Sequence, residues 1–268
     1  MDHADVSLTK AGRARERAVA ARARRRSPDG WAGGPPVATT PATWRVLLRA
    51  FRLVAASLGL DLRVEGALNI PDGPCIIAAA PHRTWLDPFA LSFALPLEPR
   101  VYFLGDGEAM FRDPLRAFAV RRIGGVVPIW RGESRFASHV EATRRILGAG
   151  ARLALFPERG PAVPVERARP LAAGVGYIAA RIGGLVVPAV IGGTHELYLR
   201  RRVVVRFLEP MRPPGGLPEG TAQEHDAVHA FVSELERTMA PHVTELFRRT
   251  EPPPSFRKRW RWLTSAFH

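Results

Sequence analysis

Seven short apolar runs separated by longer amphipathic stretches constrain this chain more than any other feature. The runs fall at 62–66, 75–80, 101–105, 125–130, 152–157, 185–192 and 202–208. Each has strand length and is rich in Val, Ile, Leu and Ala. Stretches of helical character lie at 88–95, 113–121, 134–149, 170–183 and 221–248. The 134–149 stretch opens on Ser134, a suitable N-cap, and closes on Gly148 to Gly150. In the last stretch Val228, Phe231, Val232, Leu235 and Met239 share one face. Strands alternating with helices predict an α/β class: a single αβ domain with a largely parallel central sheet. No internal repeat interrupts the pattern.

Composition narrows the class further. The 268 residues are 46% hydrophobic and 24% charged, values that exclude wholesale disorder and fibrous repeats. A single cysteine, Cys75, excludes an internal disulfide and any Cys-x-x-Cys metal site. Charge is distributed unevenly. Residues 1–40 carry +4, residues 41–60 carry +3 and residues 248–268 carry +5, leaving only +2 of the net +14 for residues 61–247. Basic ends on a near-neutral body suit an anionic membrane surface or nucleic acid.

The chain divides accordingly. Residues 1–40 read as a disordered basic tail with few large aliphatic residues. Residues 43–60 read as an amphipathic helix, with Leu47, Phe51, Val54 and Leu58 at helical spacing and Arg45, Arg49 and Arg52 beside them. Such a helix either lies in a membrane interface or covers one end of the sheet. No uncharged run there reaches the roughly 18 residues a membrane span requires. Residues 249–268 read as a basic aromatic tail in which Trp260 and Trp262 interleave with Arg257, Lys258, Arg259 and Arg261. The domain proper is expected over 41–248.

Polar residues gather where the apolar runs end. The run at 75–80 leads into Pro81-His82-Arg83-Thr84-Trp85-Leu86-Asp87. In an open α/β sheet, ligands bind at the carboxyl ends of the strands. An Asp that accepts the imidazole Nδ1–H fixes the tautomer and leaves Nε2 as a base. The plainer alternative is an Asp capping a helix and a surface His. The run at 125–130 ends at Arg131, a residue whose planar fork suits phosphate. The run at 152–157 delivers Glu158 after Phe156-Pro157, and Pro188 interrupts the run at 185–192. His195-Glu196 lacks the spacing of a His-Glu-x-x-His zinc site, and His195 reads as structural.

Taken in order, His82-x4-Asp87, Arg131, Phe156-Pro157-Glu158 and Val187-Pro188 resemble the four blocks of the glycerolipid acyltransferases, the 1-acyl-glycerol-3-phosphate acyltransferase-like enzymes. The resemblance spans about residues 44–210. It implies an αβ acyltransferase domain preceded by an amphipathic helical segment, with His82 as catalytic base and Asp87 as the carboxylate that orients it. It further implies that Arg131, Phe156, Pro157, Glu158, Arg159 and Gly160 bind the acceptor. The implied reaction moves a fatty acyl group from acyl-CoA or acyl-carrier protein to a lysophospholipid or other lipid hydroxyl. It needs no metal and no cofactor beyond that thioester donor.

The sequence departs from the family pattern in places. Pro81 stands where Asn is usual, and Thr84 where Ser is. Arg159-Gly160-Pro161-Ala162 replaces the usual Gly-Thr-Arg-Ser, which displaces a phosphate-binding Arg. A different lipid acceptor, or a non-enzymatic membrane-binding member of the fold, therefore stays open beside the main reading. The expected location is the cytoplasmic face of a membrane, bound peripherally to its anionic surface with no transmembrane helix. Nucleic acid is not an expected partner.

Overall fold

A computed structural model describes residues 36–57, 59–106, 125–129, 136–159, 167–195 and 201–251. Among them are five α-helices and seven strands: α1 Ala42–Ser57, β1 Asp61–Glu65, β2 Ile76–Ala80, α2 Asp87–Ala94, β3 Val101–Asp106, β4 Val126–Ile129, α3 Phe136–Gly148, β5 Arg152–Leu155, α4 Gly174–Ile182, β6 Val186–Gly192, β7 Arg202–Phe207 and α5 Ala222–Thr250. All seven apolar runs form strands. Four of the five helix-like stretches form helices, and the fifth, 113–121, lies outside the described residues. So do Ser134, Leu58, most of the N-terminal tail and all but the first three residues of the C-terminal one.

The strands form one α/β sheet in the order β1-β7-β6-β2-β5-β3-β4. Every neighbouring pair is parallel except β6 and β7, so β1 and β7 run against the other five. β2, β5 and β6 are buried at every position. That is the signature of a parallel sheet covered on both faces, and it explains why their sequences read as unbroken apolar runs. Side chains alternate between the two layers. Ile76, Ala78 and Ala80 face a core shared with α3, α4 and α5, including Ile146, Ile178 and Leu235. Ile77 and Ala79 face a second core shared with Leu91 and Ala94 of α2.

Close packing of α4 on α5 depends on Gly176. A Cβ there would lie 2.7 Å from Val232 Cγ2 and 2.9 Å from Val228 Cγ1. Helix α5 is capped at its start: the Thr221 hydroxyl accepts the Glu224 N–H (3.2 Å), and the Glu224 carboxylate accepts the N–H of Gly220, one residue before the cap (2.7 Å). Its far end is tied to the sheet edge by a charged network. Arg206 of β7 grips Glu245 through two nitrogens, at 2.6 and 2.9 Å, and Glu65 of β1 through a third, at 2.7 Å. Arg249 bridges the same two acids.

Helix α1 turns Leu47 and Phe51 of the expected stripe inward but not Val54. Leu48 is buried, Trp44, Leu47 and Phe51 are half-buried, and Val54 faces solvent. Aromatic packing decides the register. The Phe51 ring lies tilted 4.9 Å from Phe89 and 6.2 Å from Phe93 of α2, and Trp44 lies 6.3 Å from Phe89. Val46, Leu53 and Val54 remain 64%, 72% and 56% exposed on the outer side.

Candidate active site

The carboxyl ends of three adjacent strands, β6, β2 and β5, meet at one edge of the sheet. The loop after β2 carries His82 and turns into α2, whose first residue is Asp87. Pro88 follows in the first turn, where a missing N–H costs nothing. The Asp87 side chain is fully buried, whereas the His82 side chain is 44% exposed.

One oxygen of Asp87 organises the whole loop. Oδ2 accepts the backbone N–H groups of Arg83 (2.7 Å) and Thr84 (2.8 Å) and stands 3.0 Å from His82 Nδ1. A carboxylate only accepts, so Nδ1 carries the hydrogen and Nε2 of the neutral ring keeps its lone pair. No described residue hydrogen-bonds Nε2. The five-residue separation works because the loop curls over the helix start, where the helix dipole favours the negative charge. Asp87 Oδ1 is buried with no hydrogen-bond partner among the described residues.

Strand β5 supplies the second wall. Phe156 stacks on the His82 ring at a centroid distance of 4.3 Å and an angle of 22°. Glu158 Oε2 accepts the His82 backbone N–H at 2.9 Å. Pro157 is buried, and its carbonyl accepts the Ala172 N–H at 2.7 Å. Arg159 is exposed; its N–H donates to Pro170 and its Nε to the Leu171 carbonyl. Pairing between 157–159 and 170–172 also explains why α4 starts at Gly174 rather than at 170, since these residues are occupied in a short bridge. Arg131 and Gly160 lie outside the described residues.

Two supports come from residues the sequence reading did not assign. The Arg83 guanidinium donates to the Arg167 carbonyl at 2.6 Å, and the Thr84 hydroxyl donates to the Thr194 carbonyl beyond β6 at 3.4 Å. Neither was visible in the sequence, because each joins segments more than 80 residues apart. Cys75 sits at the opposite end of β2 and is fully buried; burial pushes its thiol up to about 11. A thiol in that state is a small core residue and no nucleophile. His195 packs 5.3 Å from the Phe247 ring and meets buried Arg201, in keeping with a structural role. Among the described residues no cluster of three or more metal-ligating side chains occurs.

Residues 61–192 match the family model described as Acyltransferase. No curated protein sequence matches the chain significantly. Among solved structures, the crystal structure of PlsC, the 1-acyl-sn-glycerophosphate (LPA) acyltransferase from Thermotoga maritima, superimposes with a TM-score of 0.54 at 22% identity. The match covers 78% of this chain and 81% of that one. The strand-end site thus lies within the matched segment, with the block His82 to Asp87 and the block Phe156 to Glu158 both inside it.

Proposed function

The chain belongs to the acyltransferase family, and we propose that it transfers a fatty acyl group from an acyl thioester to the hydroxyl of a lysophospholipid, with His82 as the base. The observation that carries this reading is the 3.0 Å contact between a half-exposed imidazole and a fully buried carboxylate at the carboxyl edge of the sheet. A lipid hydroxyl is a poor nucleophile at neutral pH. Nε2 removes its proton as the oxygen attacks the thioester carbonyl, and Asp87 steadies the imidazolium that forms. The tetrahedral intermediate collapses with cleavage of the carbon–sulfur bond. The imidazolium then returns its proton to the thiolate, giving ester and free thiol. General-base catalysis of this kind contributes about 10²–10⁴-fold.

Acyl-CoA or acyl-carrier protein serves as the donor, and no metal or further cofactor takes part. Arg131 matches a phosphate ligand of the family, and Arg159 stands two positions before the place of the displaced one. Arg159 holds Leu171 through Nε alone among the described residues, so its terminal nitrogens suit a phosphate. The outer face of α1 supports docking on an anionic membrane. It presents Val46, Leu53 and Val54 beside exposed Arg49, while Arg45 is ion-paired with Glu98 at 2.6 Å and Arg52 donates to the Phe93 carbonyl at 3.2 Å. Among the described residues no helix is long and apolar enough to cross a membrane. Trp85 of the His82 loop is 39% exposed and lies edge-on to Phe89 of α2 at 5.6 Å.

An acceptor panel with radiolabelled palmitoyl-CoA tests the activity. Transfer to lysophosphatidic acid that disappears in His82→Ala is the expected result. Transfer that survives in His82→Ala overturns the base. Purified protein that acylates another lysophospholipid in preference to lysophosphatidic acid redirects the acceptor.

A further inference from the structure

We infer that Glu158 is a positioning residue for His82 rather than an acceptor ligand; this inference rests on the reading of His82 as the base. Strands β2 and β5 are neighbours in register, Ile76 to Ala78 against Leu153 to Leu155. Their carboxyl ends therefore emerge side by side. Phe156 and Glu158 are two residues apart, the spacing that puts extended residues on one side of the backbone. Both meet the same partner: Phe156 lies against the His82 ring at 4.3 Å, and Glu158 Oε2 takes the His82 N–H at 2.9 Å. Asp87 holds the ring from the other side through Nδ1. The imidazole is thus fixed at its main chain, at one face and at one nitrogen.

Glu158 is itself mounted on a frame. Its backbone pairs with Leu171, flanked by the Arg159–Pro170 (2.9 Å) and Ala172–Pro157 (2.7 Å) hydrogen bonds. The Leu171 N–H in turn donates to Glu236 of α5. The carboxylate thereby transmits the position of α5 and the 170–172 segment to the His82 loop. Its second oxygen is buried, with no hydrogen-bond partner among the described residues. Such a side chain presents little to an incoming headgroup, and its negative charge repels a phosphate. A charge-assisted bond to a backbone N–H, by contrast, is among the stronger ways to fix a loop.

The test is steady-state kinetics of the full chain with lysophosphatidic acid and radiolabelled palmitoyl-CoA, comparing Glu158→Ala, Glu158→Gln, Phe156→Leu and His82→Ala. A misplaced base lowers turnover by about 100-fold, so Glu158→Ala is expected to lose kcat on that scale while both KM values hold. Glu158→Gln keeps an oxygen that accepts the His82 N–H and is expected to recover about tenfold of that loss. Phe156→Leu is expected to lower kcat with unchanged acceptor KM; if Glu158→Ala does not fold, Glu158→Gln decides the matter, a raised acceptor KM at wild-type kcat overturning the inference. A raised acceptor KM at wild-type kcat in Glu158→Ala, with His82→Ala inactive, overturns the inference alone. Retained turnover in His82→Ala overturns the base and this inference with it.

Discussion

The two edges of the central sheet bury charge equally well and use it differently. At the carboxyl edge, buried Asp87 holds two backbone N–H groups and one imidazole that remains half exposed. At the amino edge, Arg152 of β5 is 2% exposed and donates to the carbonyls of Pro71, Glu98 and Pro99, beside the fully buried Cys75 thiol. Burial alone therefore does not mark a working group. What separates the edges is whether the buried charge holds a titratable partner that reaches solvent. Asp87 does, and Arg152 closes on the protein's own carbonyls.

The largest expected effect breaks the carboxyl edge. His82→Ala is expected to lower kcat by about 10³-fold with no change in the thermal melt. Asp87→Asn is expected to follow at about 10²-fold, because an amide can present its N–H to Nδ1 and favour the wrong tautomer. A melt that falls with either rate would show that the edge is structural after all. The converse substitution, Arg152→Met, is expected to cost about 3 kcal/mol of stability by leaving buried carbonyls without donors, while kcat holds. Calorimetry and initial rates on one preparation separate the two.

Smaller effects sharpen the contrast. Cys75, its thiol pushed up to about 11, is expected to resist alkylation at pH 8 until denaturant is added, and Cys75→Ala is expected to keep full turnover. Labelling of the native protein at the rate of an exposed thiol would contradict the sealed edge. The smallest effect lies at the α5 end. Arg206 holds Glu245 down to about 2, and Arg249 with Arg206 holds Glu65 below its ordinary value. Depressed carboxyls stabilise fully above their unfolded value near 4.5 and lose that contribution as pH falls through about 2. Glu245 is nearly half exposed, so Glu245→Gln is expected to cost no more than about 1 kcal/mol at pH 7. The difference should vanish in melts near pH 2.

Much of this architecture is readable in the residues. Strands buried on both faces leave unbroken apolar runs, so β2, β5 and β6 announce themselves, and the polar residues after them mark the edge that matters. Strand order leaves no such trace. That β5 lies beside β2, bringing Phe156 and Glu158 to His82, follows from packing between segments 76 residues apart. The reversed direction of β7 and β1 is equally silent, because an apolar run reads the same either way. Periodicity placed α1 correctly and its buried stripe wrongly at Val54, since Phe89 and Phe93 of α2, rather than the helix itself, choose which side turns inward.

The aromatic contact between α1 and α2 has a mechanical consequence. Phe51 and Trp44 rest on Phe89, two residues beyond the acid that holds the imidazole. Whatever grips the outer side of α1 is thereby coupled, through two rings and half a helical turn, to the reacting centre. If a membrane takes that grip, as proposed, the height of the imidazole above it is set by the fold rather than by a linker. A lipid alcohol anchored by its chain would meet the imidazole at one depth only.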